Sequence, residues 1–473
     1  MSRRLGRHAV VIGASMGGLL AARALAEHFG QVTVLERDRL PAPGKNRKGV
    51  PQGQHAHGLL GRGREVLERF FPGLTRDLVA KGAVSSDLQD TVRWYSGGAA
   101  LAPGQSGLIG LGVSRPLLEG YVRERLLALP GVRLVESCAV AGLLSSAEQH
   151  RVYGVRLARS ETSPRNEVLE AELVVDAGGR GSQSRKWLAA LGYGRPPEEI
   201  IEVGIGYATA HFRRGADEPT SVVVARSAAC PRGAALIAQE GDRWVLSLGG
   251  FAGDHPPTDF AGFVRYAKSL PAPEIHRVVE GAEPVGPVEP FRYPASVRRH
   301  YQKLARFPAG YLVFGDALCS FNPVYGQGMT SAALQALALG RELGSGLGGL
   351  APRFFGAASR VVDIPWQMAA GQDLNDPRVK GRRTLKMRLV NAYLGKLTPV
   401  AWRDPAVARA FLEVTNLVAP PASLMRPAVA LRVLQGNLAT SGPARSAAPS
   451  AKRGESISRR PAQHLRRSDD NPE

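Results

Sequence analysis

The feature that most constrains this chain is a glycine-rich turn between an apolar strand and a helix near the N-terminus. Residues 8–13, HAVVIG, form a β-branched run typical of a buried parallel strand, and the turn GASMGG follows at 13–18. Residues 17–30 are rich in helix formers, with Gly30 as the expected end of the helix, and residues 31–38 indicate a second strand that closes on acid. This order is typical of an α/β fold with a parallel sheet.

The turn matches a dinucleotide fingerprint. Gly13 allows the sharp bend, Gly18 lets helix and strand pack closely, and Ser15 stands where a glycine usually lets the backbone approach a pyrophosphate. The helix N-terminus offers free N–H groups to phosphate, and Glu36 stands where a carboxylate binds ribose hydroxyls, which favours the ADP half of FAD or NAD over NADP. The expected contacts are Gly13, Ser15, Met16, Gly17, Gly18, Glu36 and Arg37.

Two more glycine-bearing junctions lie far downstream, and a nicotinamide dehydrogenase would not need them. The first, DAGGRGS at 176–182, joins a strand to a helical stretch. The second combines Gly315-Asp316 with NPVYGQGM at 322–329, ahead of a helix rich in Ala and Leu. With these three junctions in order, the sequence resembles the flavoprotein monooxygenases of the aromatic-hydroxylase type, in which the later two are the DG and GD motifs. The resemblance implies FAD as the cofactor.

The same resemblance implies how the chain meets FAD. Asp316 would accept hydrogen bonds from the ribityl chain, Arg115 would reach the pyrophosphate, and the backbone of Val140 would contact adenine. The helix that begins at residues 327–329 would face the pyrimidine ring and stabilise the negative charge of reduced flavin. The remaining expected cofactor contacts are Arg47, Asp176, Pro323, Gly326, Gln327, Gly328 and Met329.

A narrower resemblance is to bacterial FAD-dependent epoxidases of polyether biosynthesis and related FAD-dependent oxidoreductases, over about residues 8–435. It rests on RKGVPQ at 47–52 with His55 and His57, and on QDLNDP at 372–377. We expect the first segment and both histidines near the flavin, and we assign no catalytic residue because the chemistry is centred on the cofactor. A surface loop is the alternative for the histidines. His-x-His without a third ligand gives no reason to expect a metal site.

The function implied by the resemblance is FAD-dependent monooxygenation. NAD(P)H would bind transiently and reduce FAD, O₂ would add to give a flavin hydroperoxide, and one oxygen atom would pass to a lipophilic alkene, polyene or polyketide-like substrate by epoxidation or hydroxylation. The sequence shows no clear general base, which favours an alkene. The alternative is an FAD-dependent reductase or dehydrogenase acting on an isoprenoid-type chain. A flavin halogenase is less favoured, because DIPWQ at 363–367 differs from the GWxWxIP signature.

Composition and charge limit the partners of the chain. The 473 residues are 44% hydrophobic and 22% charged, as in ordinary globular proteins, and 61 Lys and Arg against 41 Asp and Glu give a formal charge of +20. That charge is compatible with anionic partners, but no nucleic-acid-binding motif accompanies it, so no nucleic-acid partner is expected. Three cysteines without a Cys-x-x-Cys pair, no signal peptide and no long apolar run predict a cytoplasmic protein without a membrane span, and the oligomeric state stays open.

These patterns predict an α/β protein with a discontinuous, Rossmann-like FAD-binding domain, a mostly antiparallel β-rich substrate domain and a helical C-terminal region. The last stretch has almost no large apolar residues and should be disordered. The expected bounds are 1–83, 114–190 and 291–350 for the FAD-binding domain, 84–113 and 191–290 for the substrate domain, 351–440 for the helical region and 441–473 for the tail.

Five aromatic residues of the β-rich segments are candidates for the wall of a substrate cavity. They are Trp94, Tyr95, Tyr207, Phe212 and Phe251. Ordinary packing of a sheet explains each of them equally well.

Overall fold

The structure is a computed structural model, and it describes residues 4–47, 49–146, 150–158, 167–215, 221–227 and 230–441. The predicted disordered tail therefore lies outside the described residues beyond Ser441. Within the described ranges, the helices α1 to α12 are Met16–Leu25, Gly61–Phe70, Leu74–Ala80, Arg115–Leu127, Ser184–Ala190, Phe260–Lys268, Pro273–Gly281, Gly328–Leu343, Leu350–Asp373, Leu385–Ala401, Pro405–Thr415 and Pro427–Ser441.

The strands in the same ranges run from β1 to β21. They are Gly6–Ile12, Phe29–Leu35, Gly58–Leu59, Val84–Asp87, Val92–Ser96, Ala99–Ala100, Ile109–Gly112, Val132–Val135, Val140–Ser145, Val152–Leu157, Val168–Glu170, Leu173–Asp176, Glu198–Ile201, Ile205–Arg213, Ser221–Val224, Gly233–Gln239, Arg243–Gly250, Pro284–Tyr293, Ser296–Arg299, Tyr311–Val313 and Cys319–Ser320.

The first large sheet has five parallel strands in the order β20, β12, β1, β2, β8. Its central strand places Val11 opposite Val175 on one side and Val34 on the other. All three side chains are fully buried, as expected for strands that are covered on both faces. Helices α1 and α8 pack against each other beside this sheet. The predicted α/β, Rossmann-like fold class is confirmed.

Helix α1 is shorter than the sequence predicts. It ends at Leu25, and Gly30, the expected end of the helix, lies inside strand β2. A Cβ atom on Gly30 would lie 3.1 Å from the carbonyl oxygen of Arg7 on the neighbouring strand. The glycine therefore serves the close approach of two strands, and the prediction that it terminates the helix was wrong.

The second large sheet has seven strands in the order β18, β14, β17, β16, β15, β5, β6. Its pairs are antiparallel except for β15 with β5. One face packs on helices α6 and α7, where Ala208, Ala210 and Phe212 of β14 meet Phe263 and Ile275. Strand β18 crosses the expected boundary at residues 290 and 291, and the domain bounds stay a prediction.

The C-terminal helices pack against the edge of the second sheet. Leu397, Val400 and Leu412 of α10 and α11 form a core with Val92 of β5 and with Leu101. Helix α9 continues for 24 residues with Pro365 inside it, and it contains the DIPWQ segment. In the part of the chain that the structure describes, no helix has the length and apolar character needed to cross a membrane.

Candidate functional site

A single continuous cavity of about 1810 Å³ runs between the parallel sheet, the seven-stranded sheet and the C-terminal helices. The three glycine junctions meet there because each follows the carboxyl end of a parallel strand, and those ends share one edge of the sheet. The volume exceeds the roughly 300–1,000 Å³ of an ordinary small-molecule pocket, so a dinucleotide and a second ligand have room together. Of the expected site residues, all except Gly18 line the cavity.

The first turn has the geometry that the fingerprint predicts. Gly13 has a φ of +98°, and its N–H donates to the carbonyl oxygen of Leu35 at 2.8 Å. A Cβ atom on Gly18 would lie 1.7 Å from the carbonyl oxygen of Gly13, so no side chain fits there. Gly18 therefore acts through the packing of α1 on the turn, while Met16 and Gly17 line the cavity at the start of the helix.

A chain of buried ion pairs lies beside this turn. Arg47 bridges two carboxylates, with Nη1 at 3.0 Å from Glu36 Oε2 and Nε at 3.2 Å from Glu119 Oε1. Arg115 continues the chain through Nη2, at 2.9 Å from Glu119 Oε2 and 2.9 Å from Ser15 Oγ. The four charged side chains are each at most 9% exposed. Sequence reasoning named every member of this network except Glu119, which lies one helical turn after Arg115 in α4.

Glu36 is held as a carboxylate by its surroundings. Its Oε2 accepts a hydrogen bond from the N–H of Ala14 at 2.9 Å, and its Oε1 accepts one from the N–H of Asp38 at 3.1 Å. Burial alone would raise the pKa of Glu36, but the Arg47 guanidinium and the two backbone N–H groups outweigh it and lower the pKa below its ordinary value. The side chain is therefore ready to accept hydrogen bonds at neutral pH.

Two helix N-termini point at the cavity. In the described residues, neither Ser15 before α1 nor Gln327 before α8 caps its helix with its own side chain. The first backbone N–H groups of both helices are therefore left for a ligand, and each helix dipole adds a partial positive charge. Asp316 lies on the wall of the same cavity. Enclosure by the protein raises the pKa of Asp316, and Arg115 and Arg180 limit the rise.

Asp176 has a different position from the other expected contacts. It lines the cavity but is only 1% exposed. Its Oδ1 accepts from the N–H of Gly178 at 2.8 Å, and its Oδ2 accepts from Ser182 Oγ at 2.6 Å and from Ser184 Oγ. The carboxylate thus holds the DG-motif loop in shape, and a direct contact with a cofactor stays a prediction.

A buried carboxylate that sequence reasoning did not select lies behind the GD-motif loop. Asp373, the last residue of α9, accepts hydrogen bonds at Oδ1 from Asn322 Nδ2 at 3.0 Å and from Tyr325 Oη at 2.7 Å. Tyr207 Oη donates to Asn322 Oδ1 at 3.1 Å, which joins the seven-stranded sheet to the same cluster. Arg226 is 3.9 Å from Asp373 and 3.1 Å from Asp376. The cluster unites the NPVYGQGM and QDLNDP segments that the sequence presents as separate motifs.

Asp373 is the most perturbed carboxyl group in this cluster. Its side chain has no exposure, and within the described chain its Oδ2 has no hydrogen-bond partner. Burial raises the pKa of Asp373 to about 6, although Tyr325, Arg226 and Asn322 each oppose the rise. Since Tyr325 lines the cavity, its hydroxyl connects the cavity to a group that exchanges protons near neutral pH.

His55 and His57 both line the cavity, and both are neutral at pH 7. Burial, with a contribution from His211, lowers the pKa of His55 to about 4, and burial beside Arg115 lowers the pKa of His57 to about 3. His55 Nδ1 lies 2.8 Å from Thr209 Oγ1, which ties the loop to strand β14. Lys48, from the same loop, lies outside the described residues.

A family model described as an FAD binding domain matches residues 7–354. The chain belongs to this FAD-binding family. FAD as the predicted cofactor is thereby confirmed. The chain is also 35% identical to Protein Rv3254 of Mycobacterium tuberculosis in an alignment of 435 positions that covers 88% of this chain and 92% of the relative.

Solved structures share the fold at low sequence identity. A flavoprotein/dehydrogenase from Cytophaga hutchinsonii has a TM-score of 0.63 at 14% identity, covering 92% of this chain and 99% of its own. PqsL, a probable FAD-dependent monooxygenase from Pseudomonas aeruginosa, has a TM-score of 0.57 at 18% identity, covering 79% and 98%. The flavin-dependent brominase Bmp2 has a TM-score of 0.57 at 14% identity, covering 91% and 94%.

The residues of this FAD-binding chain fit the cofactor. Gly179, Gly181 and Gly328 line the cavity, and a Cβ atom on any of them would have no described atom within 4 Å. Side chains there would fill space that the bare backbone leaves to a ligand. The carboxylate of Glu36 and the two helix N-termini offer the acceptor and donors that a ribose and a pyrophosphate need.

The five aromatic candidates divide between cavity and core. Trp94 and Tyr207 line the cavity, whereas Tyr95, Phe212 and Phe251 are buried away from it. Trp94 and Tyr95 are neighbours on β5, and Tyr207 and Phe212 are an odd number of residues apart on β14, so each pair points to opposite faces of the sheet. Packing is the right interpretation for the second member of each pair.

The described residues contain no group of three or more His, Cys, Asp or Glu side chains that could hold a metal ion. The segment DIPWQ lies within helix α9, where Trp366 Nε1 donates to Glu199 Oε2 at 2.9 Å. Trp366 also lines the cavity, so this segment contributes one aromatic wall rather than a separate motif.

Proposed function

We propose that the chain is an FAD-dependent monooxygenase that transfers one oxygen atom from O₂ to a lipophilic alkene, polyene or polyketide-like substrate, with NAD(P)H as a transient reductant. The observation that carries the proposal is the continuity of the nucleotide cradle with a second chamber whose walls are mainly apolar. The narrower assignment to polyether-type epoxidases belongs to the same proposal.

The chamber lies between strands of the seven-stranded sheet and the C-terminal helices. Its apolar lining includes Val92, Trp94, Val223, Ile237, Phe291, Met368, Leu394 and Phe411. Two polar groups of the cavity wall, His55 and His57, are neutral at pH 7 because burial lowers the pKa of each. A long hydrocarbon substrate gains free energy from the apolar walls.

When bound, FAD supplies the redox chemistry that activates O₂. The chain contributes the surroundings. The first N–H groups of α8 would stabilise negative charge at the adjacent ring edge, and Asp316 would hold the ribityl chain. With a substrate bound, the apolar walls would help to exclude water from the reacting atoms.

Tyr325 and Asp373 give the chamber a route for one proton. Tyr325 Oη, on the cavity wall, donates to Asp373 Oδ1, so a proton taken up by Tyr325 Oη from a substrate hydroxyl can be matched by release to Asp373. Burial raises the pKa of Asp373 to about 6, which suits such an exchange near neutral pH. The sequence alone shows no clear general base, which favours an alkene substrate. Because Tyr325 and Asp373 could act as such a base, they support hydroxylation of a hydroxyl-bearing substrate as well as epoxidation.

The proposal is tested with the FAD-loaded protein, NADH or NADPH, and a panel of polyenes and phenols under ¹⁸O₂. We expect substrate-dependent oxygen consumption and one ¹⁸O atom per product molecule by mass spectrometry. Products that contain no ¹⁸O with every substrate of the panel would overturn the proposal.

A reductase or dehydrogenase acting on an isoprenoid-type chain is the second candidate. The structural likeness to a flavoprotein/dehydrogenase is the observation that favours it, and an apolar chamber would suit an isoprenoid as well. Anaerobic turnover separates the two. Without O₂, a reductase saturates its substrate with electrons from NAD(P)H and a dehydrogenase desaturates it when an artificial electron acceptor reoxidises the flavin, whereas a monooxygenase does not turn over.

A further inference from the structure

The outer surface of the C-terminal helices carries a concentration of exposed apolar side chains. We call this surface the C-terminal apolar face, and it comprises Leu385 (72% exposed), Leu389 (63%), Val390 (47%), Met425 (59%), Leu431 (54%), Leu434 (58%) and Leu438 (65%). Large apolar side chains exposed to this degree in one region mark an interaction surface more often than an accident of packing.

On α12 the exposed leucines follow helical spacing. Leu431, Leu434 and Leu438 are three and four residues apart, so they share one side of the helix. The opposite side packs inward, where Val433 is 4% exposed and a Cβ atom on Gly436 would lie 2.8 Å from Val400 of α10. The stripe of leucines therefore faces away from the protein.

The C-terminal apolar face is continuous with the mouth of the cavity. Leu389, Val390 and Met425 belong to the face and also line the cavity. The first two turns of α10 thus present apolar side chains both outward and into the chamber. A lipophilic molecule that lies against this face has an apolar path to the chamber without crossing water.

The same region is strongly basic. Residues 377–441 contain eleven Lys and Arg and only two acidic residues, Asp404 and Glu413. Arg382, Arg388, Lys396 and Arg426 are exposed around the apolar side chains. Apolar groups that penetrate an interface, ringed by cations that meet phosphates, are the combination that binds a helix flat on an anionic bilayer.

We propose that the C-terminal apolar face docks on an anionic lipid bilayer and places the mouth of the cavity against the membrane surface. The binding needs neither FAD chemistry nor an assigned substrate, so it stands apart from the proposed oxygenation. Leucines of α12 would enter the boundary between headgroups and acyl chains, and the basic side chains would pair with lipid phosphates.

Two other occupants fit the face less well. A second copy of the chain would bring Arg382, Arg388, Lys396 and Arg426 against the same four side chains, and like charges across an interface oppose association. The sequence after Ser441 is also basic, with Ile457 and Leu465 as its only large apolar residues, so it has little to offer seven exposed apolar side chains.

The test is flotation of the full-length, FAD-loaded protein with vesicles of phosphatidylglycerol and phosphatidylcholine in equal parts, and with vesicles of phosphatidylcholine alone. We expect binding to the anionic vesicles and at least about tenfold weaker binding to the neutral ones. The variant Leu431→Ser/Leu434→Ser/Leu438→Ser should lose at least about tenfold in affinity for the anionic vesicles. The matched control Tyr153→Ser/Val168→Ser, which removes exposed apolar side chains on the separate sheet of β9, β10 and β11, should bind as the parent does.

Bound FAD per chain and sedimentation velocity accompany each variant, and they show whether folding and oligomeric state are unchanged. A single variant, Leu434→Glu, gives the same test with the least disturbance of the helix. Undiminished binding by both leucine variants would overturn the proposal. The proposal would also be overturned if binding were lost only in the variant Arg459→Ser/Arg460→Ser/Arg466→Ser/Arg467→Ser, because the contact would then belong to the tail. A parent dimer that dissociates when the leucines are replaced would likewise overturn it.

Discussion

At one end of the cavity, Glu36 and Arg47 belong to a chain of buried ion pairs in which each charge faces an opposite charge. At the other end, Asp373 is buried with neutral hydrogen-bond partners and with Arg226 at 3.9 Å, and burial raises its pKa to about 6. Burial acts on both carboxylates, yet the pKa of Glu36 falls while that of Asp373 rises, because a guanidinium at 3.0 Å and two backbone N–H groups oppose burial at Glu36. The nucleotide end is thus built to hold fixed charge, and the chamber end to exchange protons.

The largest expected effect tests the backbone of the nucleotide end. In Gly18→Ala the new methyl group would meet the carbonyl oxygen of Gly13, so we expect a loss of about 4 kcal/mol or more, seen as insoluble protein or as FAD-free protein in absorbance spectra. Gly340→Ala in α8 is the control, because no described atom lies within 4 Å of its Cβ position and the helix should gain up to about 1 kcal/mol. A Gly18→Ala protein with normal flavin content would break the steric argument.

The next effect tests the chamber end through Asp373→Asn. Well below pH 4 the carboxyl group is protonated in folded and unfolded chains alike. Between about pH 4 and pH 6 the unfolded chain ionises this group while the folded protein keeps its proton, and above about pH 6 both are ionised and the loss of stability is complete. The parent should therefore lose stability relative to the variant, by on the order of 3 kcal/mol between pH 4 and pH 8, in urea unfolding. Asp90→Asn, at an exposed site, should show no such trend. If the difference in free energy of unfolding between the parent and Asp373→Asn does not change with pH, the carboxylate is better stabilised than its contacts indicate.

A third experiment returns to the nucleotide end with Glu36→Gln. The substitution removes the negative charge that faces Arg47 and weakens the acceptor for ribose hydroxyls, so we expect about thirtyfold weaker FAD binding, or on the order of 2 kcal/mol. Arg37→Gln is the companion variant, because the Arg37 side chain is 69% exposed and should matter by less than about 1 kcal/mol. Equal losses of FAD affinity in the two variants would show that burial of the ion pairs does not strengthen FAD binding.

The smallest expected effect concerns the neutral histidines of the chamber. Burial lowers the pKa of His57 from 6.5 to about 3, so the folded protein keeps the ring neutral while the unfolded chain takes up a proton below pH 6.5. Stability from this group is complete above pH 6.5 and is lost as pH falls. We expect the fall in free energy of unfolding between pH 7.5 and pH 5.5 to be about 1 kcal/mol smaller in His57→Gln than in the parent, measured by urea unfolding at both pH values. His150→Gln, at an exposed position, should leave the pH dependence unchanged.

The sequence predicts the nucleotide end well because its determinants are local. Gly13, Gly18 and Glu36 all belong to the short segment that contains β1, α1 and β2, and each acts through backbone geometry or strand register. Glu119 contacts Arg47 and Ser15, and Ser15 lies 104 residues earlier in the chain. Asp373 contacts Asn322 and Tyr325, which lie 51 and 48 residues earlier. A sequence has no period that brings such side chains together. Alternation places Trp94 and Tyr95 on opposite faces, but only the packed sheet shows which face meets the cavity.

Asp373 is also the last residue of α9, and Asn322 stands at the start of the flavin-side loop. Two hydrogen bonds to one carboxylate oxygen therefore fasten the end of a 24-residue helix to the segment that would contact the isoalloxazine. Trp366 and Met368 of the same helix line the cavity, so the helix that bounds the chamber is also the one whose end is bonded to the flavin-side loop. A substrate bound against this helix would therefore share one rigid element with the loop that faces the flavin.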